Sequence, residues 1–325
     1  MTLPDQTLGC SDQTPSALNQ TSALNQTGAL NQTSALGKTR FPVPGGELAA
    51  LTAGPPDGAP VLLVPGYTGA KEDFAPILPA LAEAGFRATA IDQRGQYESP
   101  GWGDPDAYTV AALAADVLAV AALLGAPADG GPAGGGQADG GPAGGAPVHL
   151  LGHSFGGLVA RGAALADPSA FASLVLMGSG PGALDGGRRA RMDQLRPVAG
   201  QGMAVIYAAM QAYDERDPDY APPPPERAAY LRIRFLASDP AGLFGMGQAL
   251  TTEPDRTDEL ARTGLRALVL CGANDDAWPL PAQEDMARRL SGRFVVVPDA
   301  AHSPARENPA PTARALVEFW RATPA

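Results

Sequence analysis

Continuous apolar runs separated by helical stretches constrain this chain more than any other feature. The runs are 60-PVLLVPG-66, 86-FRATAID-92, 148-VHLLGH-153, 173-SLVLMGS-179, 265-LRALVLCG-272 and 293-RFVVVPD-299. Strands that are apolar on both faces belong to a parallel sheet covered by helices on each side. Helical stretches fall between them at 74–85, 109–125, 156–166, 281–290 and 310–322, several of them stopped by Gly or Pro. Strand, helix, strand in series requires right-handed crossovers, so the expected class is α/β with a doubly wound, mostly parallel sheet.

One interval departs from this rhythm. Residues 181–264 carry helical stretches at 200–213 and 226–237 but no convincing strand. They read as a helical cap inserted between the strands near 173–179 and 265–272. An insertion after a strand that ends near Ser179 emerges at the carboxyl edge of the sheet, where ligands bind in open α/β folds. The core is then expected at 40–180 and 265–325.

Two repeats lie outside this pattern. Residues 1–39 include SALNQT SALNQT GALNQT SALGKT, with one leucine per six residues. Such units bury too little apolar area to offset the entropy of ordering, so disorder is expected, with a weak helix as the alternative. Residues 128–147, ADGGPAGGGQ ADGGPAGGAP, read as a flexible surface insertion entering a strand from its amino edge, far from any active site.

Charge and cysteine usage narrow the function classes. With 34 acidic and 23 basic residues the net charge is -11, which repels a phosphate backbone, so no nucleic-acid partner is expected. The two cysteines, Cys10 and Cys271, do not make a disulfide framework. The segment 7-TLGC-10 lacks the basic start and apolar stretch of a lipoprotein signal. No apolar run reaches the roughly eighteen residues of a membrane helix. The expected location is cytoplasmic.

The most informative break is Gly152-His153-Ser154-Phe155-Gly156, which fits G-x-S-x-G with an apolar strand before it and a helix after it. A serine in so tight a strand-to-helix turn is strained, and the flanking glycines remove side chains that would collide there. A serine hydroxyl attacks only when a base takes its proton, so a histidine and an orienting acid are required. The chain has three histidines. His149 lies within a strand and reads as a packed core residue. His153 adjoins the serine on extended backbone, so its side chain points the other way and supports the site indirectly. His302 follows the last strand and is the candidate base. In the chain order serine, acid, histidine, the acid follows strand 265–272. Asp275 is preferred there, Asp276 is within reach, and Asp185 is a distant third.

The landmarks 64-VPGYTGAKEDF-74, 92-DQRGQYESPG-101, 152-GHSFGG-157, 272-GANDDAWP-279 and 300-AAHSP-304 stand in the order seen in α/β-hydrolases. Over residues 40–322 the chain resembles the capped, bacterial esterase and peptidase type of that superfamily. The resemblance implies a serine hydrolase working through Ser154, His302 and Asp275 with no metal or organic cofactor. It also implies an oxyanion hole from the backbone N–H groups of Tyr67 and Phe155. Many relatives carry His-Gly where this chain has Pro65-Gly66, a change that leaves the triad intact. Aspartate in place of Ser154 would have pointed to an epoxide hydrolase or dehalogenase.

The implied substrate is a small molecule, a carboxylic ester, thioester or lactone with an apolar acyl or ring portion. Tyr207, Met210, Phe235, Phe244 and Trp278 are the candidate pocket residues, drawn from an apolar set that also includes Met203, Ile206, Leu243 and Met246. The stretch 214-DERDPDY-220 reads as a solvated loop, or alternatively as a contact for a substrate amine. Peptidase, acyl-transfer or lyase chemistry on the same scaffold, and a binding protein with little turnover, are the competing functions.

Overall fold

The computed structural model describes residues 36–126, 145–216 and 220–323. Cys10, most of the hexapeptide repeat, the bulk of the glycine-rich repeat, and residues 217–219 of the acidic stretch lie outside them. Eight strands form one sheet: β1 (Gly37–Val43), β2 (Gly46–Ala53), β3 (Ala59–Val64), β4 (Phe86–Ile91), β5 (Val148–His153), β6 (Phe171–Met177), β7 (Ala267–Gly272) and β8 (Arg293–Val297). Their spatial order is β1-β2-β4-β3-β5-β6-β7-β8, with β1–β2 and β2–β4 antiparallel and the remaining pairs parallel.

The six strands expected from apolar runs are β3 to β8, displaced by no more than two residues at any end. The hairpin β1–β2 was not anticipated. Its outer strand GKTRFPV is largely exposed and lacks an apolar run, while β2 buries Leu48 to Leu51. The expectation of disorder through residue 39 is therefore corrected at its end. Gly37, Lys38 and Thr39 pair with Thr52, Leu51 and Ala50, and backbone pairing supplies the order that their side chains do not.

Helices cover both faces. On one side α2 (Val110–Gly125) and α3 (Phe155–Ala166) bury Leu113, Val117, Leu158 and Val159 against β3, β5 and β6. On the other, α1 (Leu78–Glu83) and α11 (Pro309–Arg321) bury Leu78, Leu81, Leu316 and Trp320. Thr109 caps α2 through its hydroxyl, which accepts from Ala112 N at 3.1 Å. Ala146 N donates to the Gly125 carbonyl at the end of α2, at 2.8 Å. That junction sits at the amino end of β5, opposite Ser154.

Between β6 and β7 the described residues hold only helices: α4 (Gly186–Leu195), α5 (Met203–Asp214), α6 (Pro225–Ala237), α7 (Pro240–Thr252) and the short α8 (Thr257–Ala261). Arg161, only 2% exposed and projecting from α3, clamps both ends of this insertion. It donates to the carbonyls of Pro181 and Pro254, the latter at 3.0 Å, and pairs with Glu253 at 2.9 Å. Asp239, at the start of α7, accepts from Tyr108 Oη at 2.6 Å and Gly103 N at 3.1 Å, docking the insertion on the loop after β4. Among the described residues no helix is long and apolar enough to cross a membrane.

Removing one partner of a buried ion pair leaves the other charge unsatisfied at a cost of about 3 kcal/mol or more. Arg161→Met, which keeps most of the volume, is therefore expected to lower stability by about 3 kcal/mol in urea denaturation. A second outcome concerns pH. His149 is buried between Phe86 and Trp320 and bonds Ser173 Oγ at 2.8 Å. Burial pushes its pKa down to about 4. Above about pH 6.5 the imidazole is neutral in both folded and unfolded chains, so stability is fully present there. Between that pH and about 4 only the unfolded chain takes up the proton, and stability falls. His149→Phe should flatten this part of the stability profile measured against pH.

Candidate active site

Ser154 occupies the single residue between β5 and α3, at φ 54° and ψ -122°. A non-glycine residue in such a conformation costs about 1–3 kcal/mol and persists only where its surroundings fix it. Ser154 N donates to the Met177 carbonyl at 2.9 Å, and Gly157 N donates to the Ser154 carbonyl at 2.9 Å. Two glycines make the turn possible by close approach. A Cβ on Gly152 would lie 2.2 Å from the Gly156 carbonyl oxygen, and one on Gly156 would lie 2.4 Å from the Val64 and Pro65 oxygens.

The other two groups arrive on loops at the same sheet edge. Asp275 follows β7 and His302 follows β8, and their loops are stitched together by Ala273 N to the Val297 carbonyl and Asn274 N to the Ala300 carbonyl, both 2.9 Å. His302 Nδ1 is 2.9 Å from Asp275 Oδ1, and His302 Nε2 is 2.9 Å from Ser154 Oγ. A carboxylate only accepts, so the Nδ1 proton belongs to the aspartate contact and Nε2 is left to accept from the serine hydroxyl. Asp276, within reach on sequence grounds, instead pairs with Arg188 through two contacts of 2.6 and 3.0 Å. Asp185 bonds its own neighbour, Gly186 N.

Asp275 is buried, which by itself would raise its pKa. Hydrogen bonding to His302, the backbone N–H of Ala277 and Gln283 together hold it below the ordinary aspartate value. It is thus ionised and oriented. His153, pushed down to about 4 by burial and by the neighbouring His302, is a neutral ring. Its Nε2 donates to the His302 carbonyl at 2.7 Å, so it supports the His302 backbone from behind.

Gly66 passes directly against the serine, since a Cβ there would sit 3.0 Å from Ser154 Cβ. Gln96 Nε2 donates to the Gly66 carbonyl and Gln93 Nε2 to the Pro65 carbonyl, each at 2.8 Å. The C=O and N–H of a trans peptide point in opposite directions. Holding the Gly66 carbonyl therefore fixes the direction of the Tyr67 N–H. Phe155 N is the first amide of α3, among those with no partner inside the helix.

Ser154 and His302 open onto a cavity of about 440 Å³ lined also by Tyr67, Met210, Leu243 and Leu250. Of the five residues expected in the pocket, Met210 lines this cavity. The placement of the other four differs. Tyr207, Phe235 and Phe244 pack the inserted helices around Met203, Ile206 and Leu243; Tyr207 and Phe235 also line a cavity of about 280 Å³ that shares Met210 and Arg234 with the first, and Phe244 one of about 140 Å³ that shares Tyr67 and Leu243 with it. Trp278 is buried against Gly180, its ring centroid 6.3 Å from that of His302.

Sequence reasoning missed Gln93, Gln96 and Gln283. Gln283 carried a signal, as a polar residue on the buried stripe that it shares with Met286 and Ala287 in α9 (Leu280–Arg289).

The Alpha/beta hydrolase family model matches residues 61–315. The chain belongs to the alpha/beta hydrolase family. Over 124 residues it is 38% identical to a Variovorax paradoxus (strain S110) protein named "Putative carbamate hydrolase RutD", a match covering 38% of this chain and 39% of that one. The chain thus spans about two-fifths of that relative's length. Over 175 residues it is 28% identical to the 2-succinyl-6-hydroxy-2,4-cyclohexadiene-1-carboxylate synthase of Escherichia coli O1:K1 / APEC, covering 53% of this chain and 68% of that one. A thermophilic esterase from Thermogutta terrifontis, solved with malate bound, superposes with a TM-score of 0.66 at 25% identity, covering 88% of this chain and 99% of that one.

In this α/β hydrolase, Gln283 Nε2 bonds Asp275 Oδ2 at 3.1 Å and the Trp278 carbonyl at 2.9 Å. Stranding a buried acceptor costs about 1–3 kcal/mol. Gln283→Leu is therefore expected to destabilise the protein by about 2 kcal/mol in chemical denaturation.

Proposed function

We propose that this protein is a serine hydrolase that cleaves carboxylic esters, thioesters or lactones through an acyl-enzyme. The observation that carries the reading is the unbroken contact from Asp275 to His302 to the strained Ser154. In the proposed reaction His302 Nε2 takes the Ser154 proton as Oγ attacks the substrate carbonyl carbon. Asp275 stabilises the imidazolium that forms. The oxyanion rests between the amides of Tyr67 and Phe155, and each such donor contributes about 3–4 kcal/mol of transition-state stabilisation. His302 then returns the proton to the departing alcohol as the C–O bond breaks. Water attacks the acyl-enzyme with the same proton transfers, releasing the acid and restoring Ser154.

The inserted helices serve in this reading as a cap, since Met210, Leu243 and Leu250 supply apolar walls to the cavity. A pocket of this size suits a small-molecule substrate. The relatives named as a hydrolase and an esterase support the assignment. A second reading, non-hydrolytic chemistry at the same serine, is supported by the relative named as a synthase.

The test is labelling of the purified protein with a fluorophosphonate probe, located by peptide mass spectrometry. The expected adduct is on Ser154, absent in Ser154→Ala and reduced at least 100-fold in rate in His302→Ala. Release of free acid and alcohol from a panel of esters separates hydrolysis from the second reading. A folded wild-type protein that neither labels nor releases acid would refute the hydrolase assignment.

A further inference from the structure

The cavity beside Ser154 is richer in arginine than an apolar ester pocket requires. Arg188, Arg191, Arg234 and Arg306 line it, against Asp73, Asp276 and Glu307. Three of these arginines have a carboxylate to themselves or at close range. Arg188 grips Asp276 with two contacts, Arg191 pairs with Asp214, and Arg234 Nη1 lies 2.7 Å from Asp73 Oδ1.

Arg306 is different. Its one ion-pair partner among the described residues is the same Asp73 Oδ1, at 3.5 Å, already held by Arg234. The other oxygen of Asp73 accepts from Ala70 N at 3.1 Å. Glu307, next in sequence, does not compensate. Its Oε2 accepts from Ala301 N at 2.6 Å and Ser303 N at 3.2 Å, holding the loop that carries His302. The cavity thus has a guanidinium whose planar fork of donors lacks a carboxylate of its own.

Its position is fixed as well. Arg306 stands four residues after His302 in α10 (Pro304–Glu307), whose first turn is closed by Arg306 N and Glu307 N bonding the Ser303 carbonyl, each at 2.9 Å. Its side chain is 27% exposed, and it lines the same cavity as Ser154 and His302. A further nearby cation, Arg227, feels the same excess, since burial and then the charge of Arg306 lower its pKa. A guanidinium matches a carboxylate in planar, two-point geometry, which a lysine ammonium does not.

We infer that Arg306 recognises a free carboxylate on the substrate, so that the preferred ester carries a second, ionised carboxyl group. This rests on the reading of Ser154 as the nucleophile for where the ester bond is cut. The anion site itself is set by Arg306 and the cavity walls. It also accounts for a cationic pocket on a chain whose net charge is -11.

The experiment compares kcat/KM for monomethyl glutarate and for methyl butyrate, a neutral ester of similar reach, in the wild type, Arg306→Gln and Arg306→Lys. O-acetylglycolate, with its carboxylate on the alcohol side, distinguishes which half of the ester the arginine holds. The wild type is expected to favour at least one of the two anionic esters tenfold or more. That ratio should fall at least tenfold in Arg306→Gln and be partly restored in Arg306→Lys, which keeps the charge without the fork. A wild-type ratio near one for both anions, or a ratio that Arg306→Gln leaves in place, overturns the inference. Calorimetric titration of Ser154→Ala with monomethyl glutarate and O-acetylglycolate, with and without Arg306→Gln, reads the site without turnover. Saturable binding that Arg306→Gln abolishes supports the anion site even if no ester is cleaved, an outcome that would sink the hydrolase reading alone. Absence of Arg306-dependent binding to both anions sinks the anion site.

Discussion

A single strained residue organises this structure. Ser154 at φ 54° turns a fully buried strand into a buried helix within one position. The turn holds because β5 is locked between β3 and β6 and because α3 packs over the same strands. The price of the strain is met by that packing, and its product is a hydroxyl raised above the sheet edge and free to meet a histidine. Gly152 and Gly156 follow from the same constraint, as any side chain there would strike backbone oxygen.

The remaining groups depend on the parallel order of the sheet. Parallel strands deliver all of their carboxyl ends to one edge, so loops distant in sequence converge without any local signal. Asp275 and His302 are 27 residues apart, and His302 and Ser154 are 148 apart, yet each pair meets at 2.9 Å. Buried polar side chains then remove the freedom of those loops. Gln283 fixes the Asp275 carboxylate, His153 fixes the backbone of His302, and Gln96 fixes the peptide beside the serine. Arg161 and Arg234 do the same on a larger scale, tying the inserted helices to α3 and to the loop after β3.

How far the sequence could be read followed from which forces leave a local trace. Burial on both faces writes a continuous apolar run, and β3 to β8 were legible for that reason. The hairpin strand β1 was not, because an exposed edge strand is held by backbone pairing that side chains do not record. The Ser154 turn was legible because its glycines are sterically required. Which carboxylate contacts His302 was not decided locally, since Asp275 and Asp276 are adjacent, and only Arg188 and Gln283, brought in from elsewhere, separate their placements. The roles of Tyr207, Phe235 and Phe244 were not decided locally for a related reason, because apolar side chains on short helices serve helix packing and cavity lining alike.

The sequence by itself determined the layered α/β architecture, the family, and the serine and histidine that face each other, because strand burial and a tight turn are short-range demands on residue type. Only the tertiary structure decided which carboxylate meets His302, which residues wall the cavity, and that Arg306 stands without a carboxylate of its own. Those depend on ion pairs and contacts between segments far apart in the chain, and charge balance in a cavity is a property of the assembled walls.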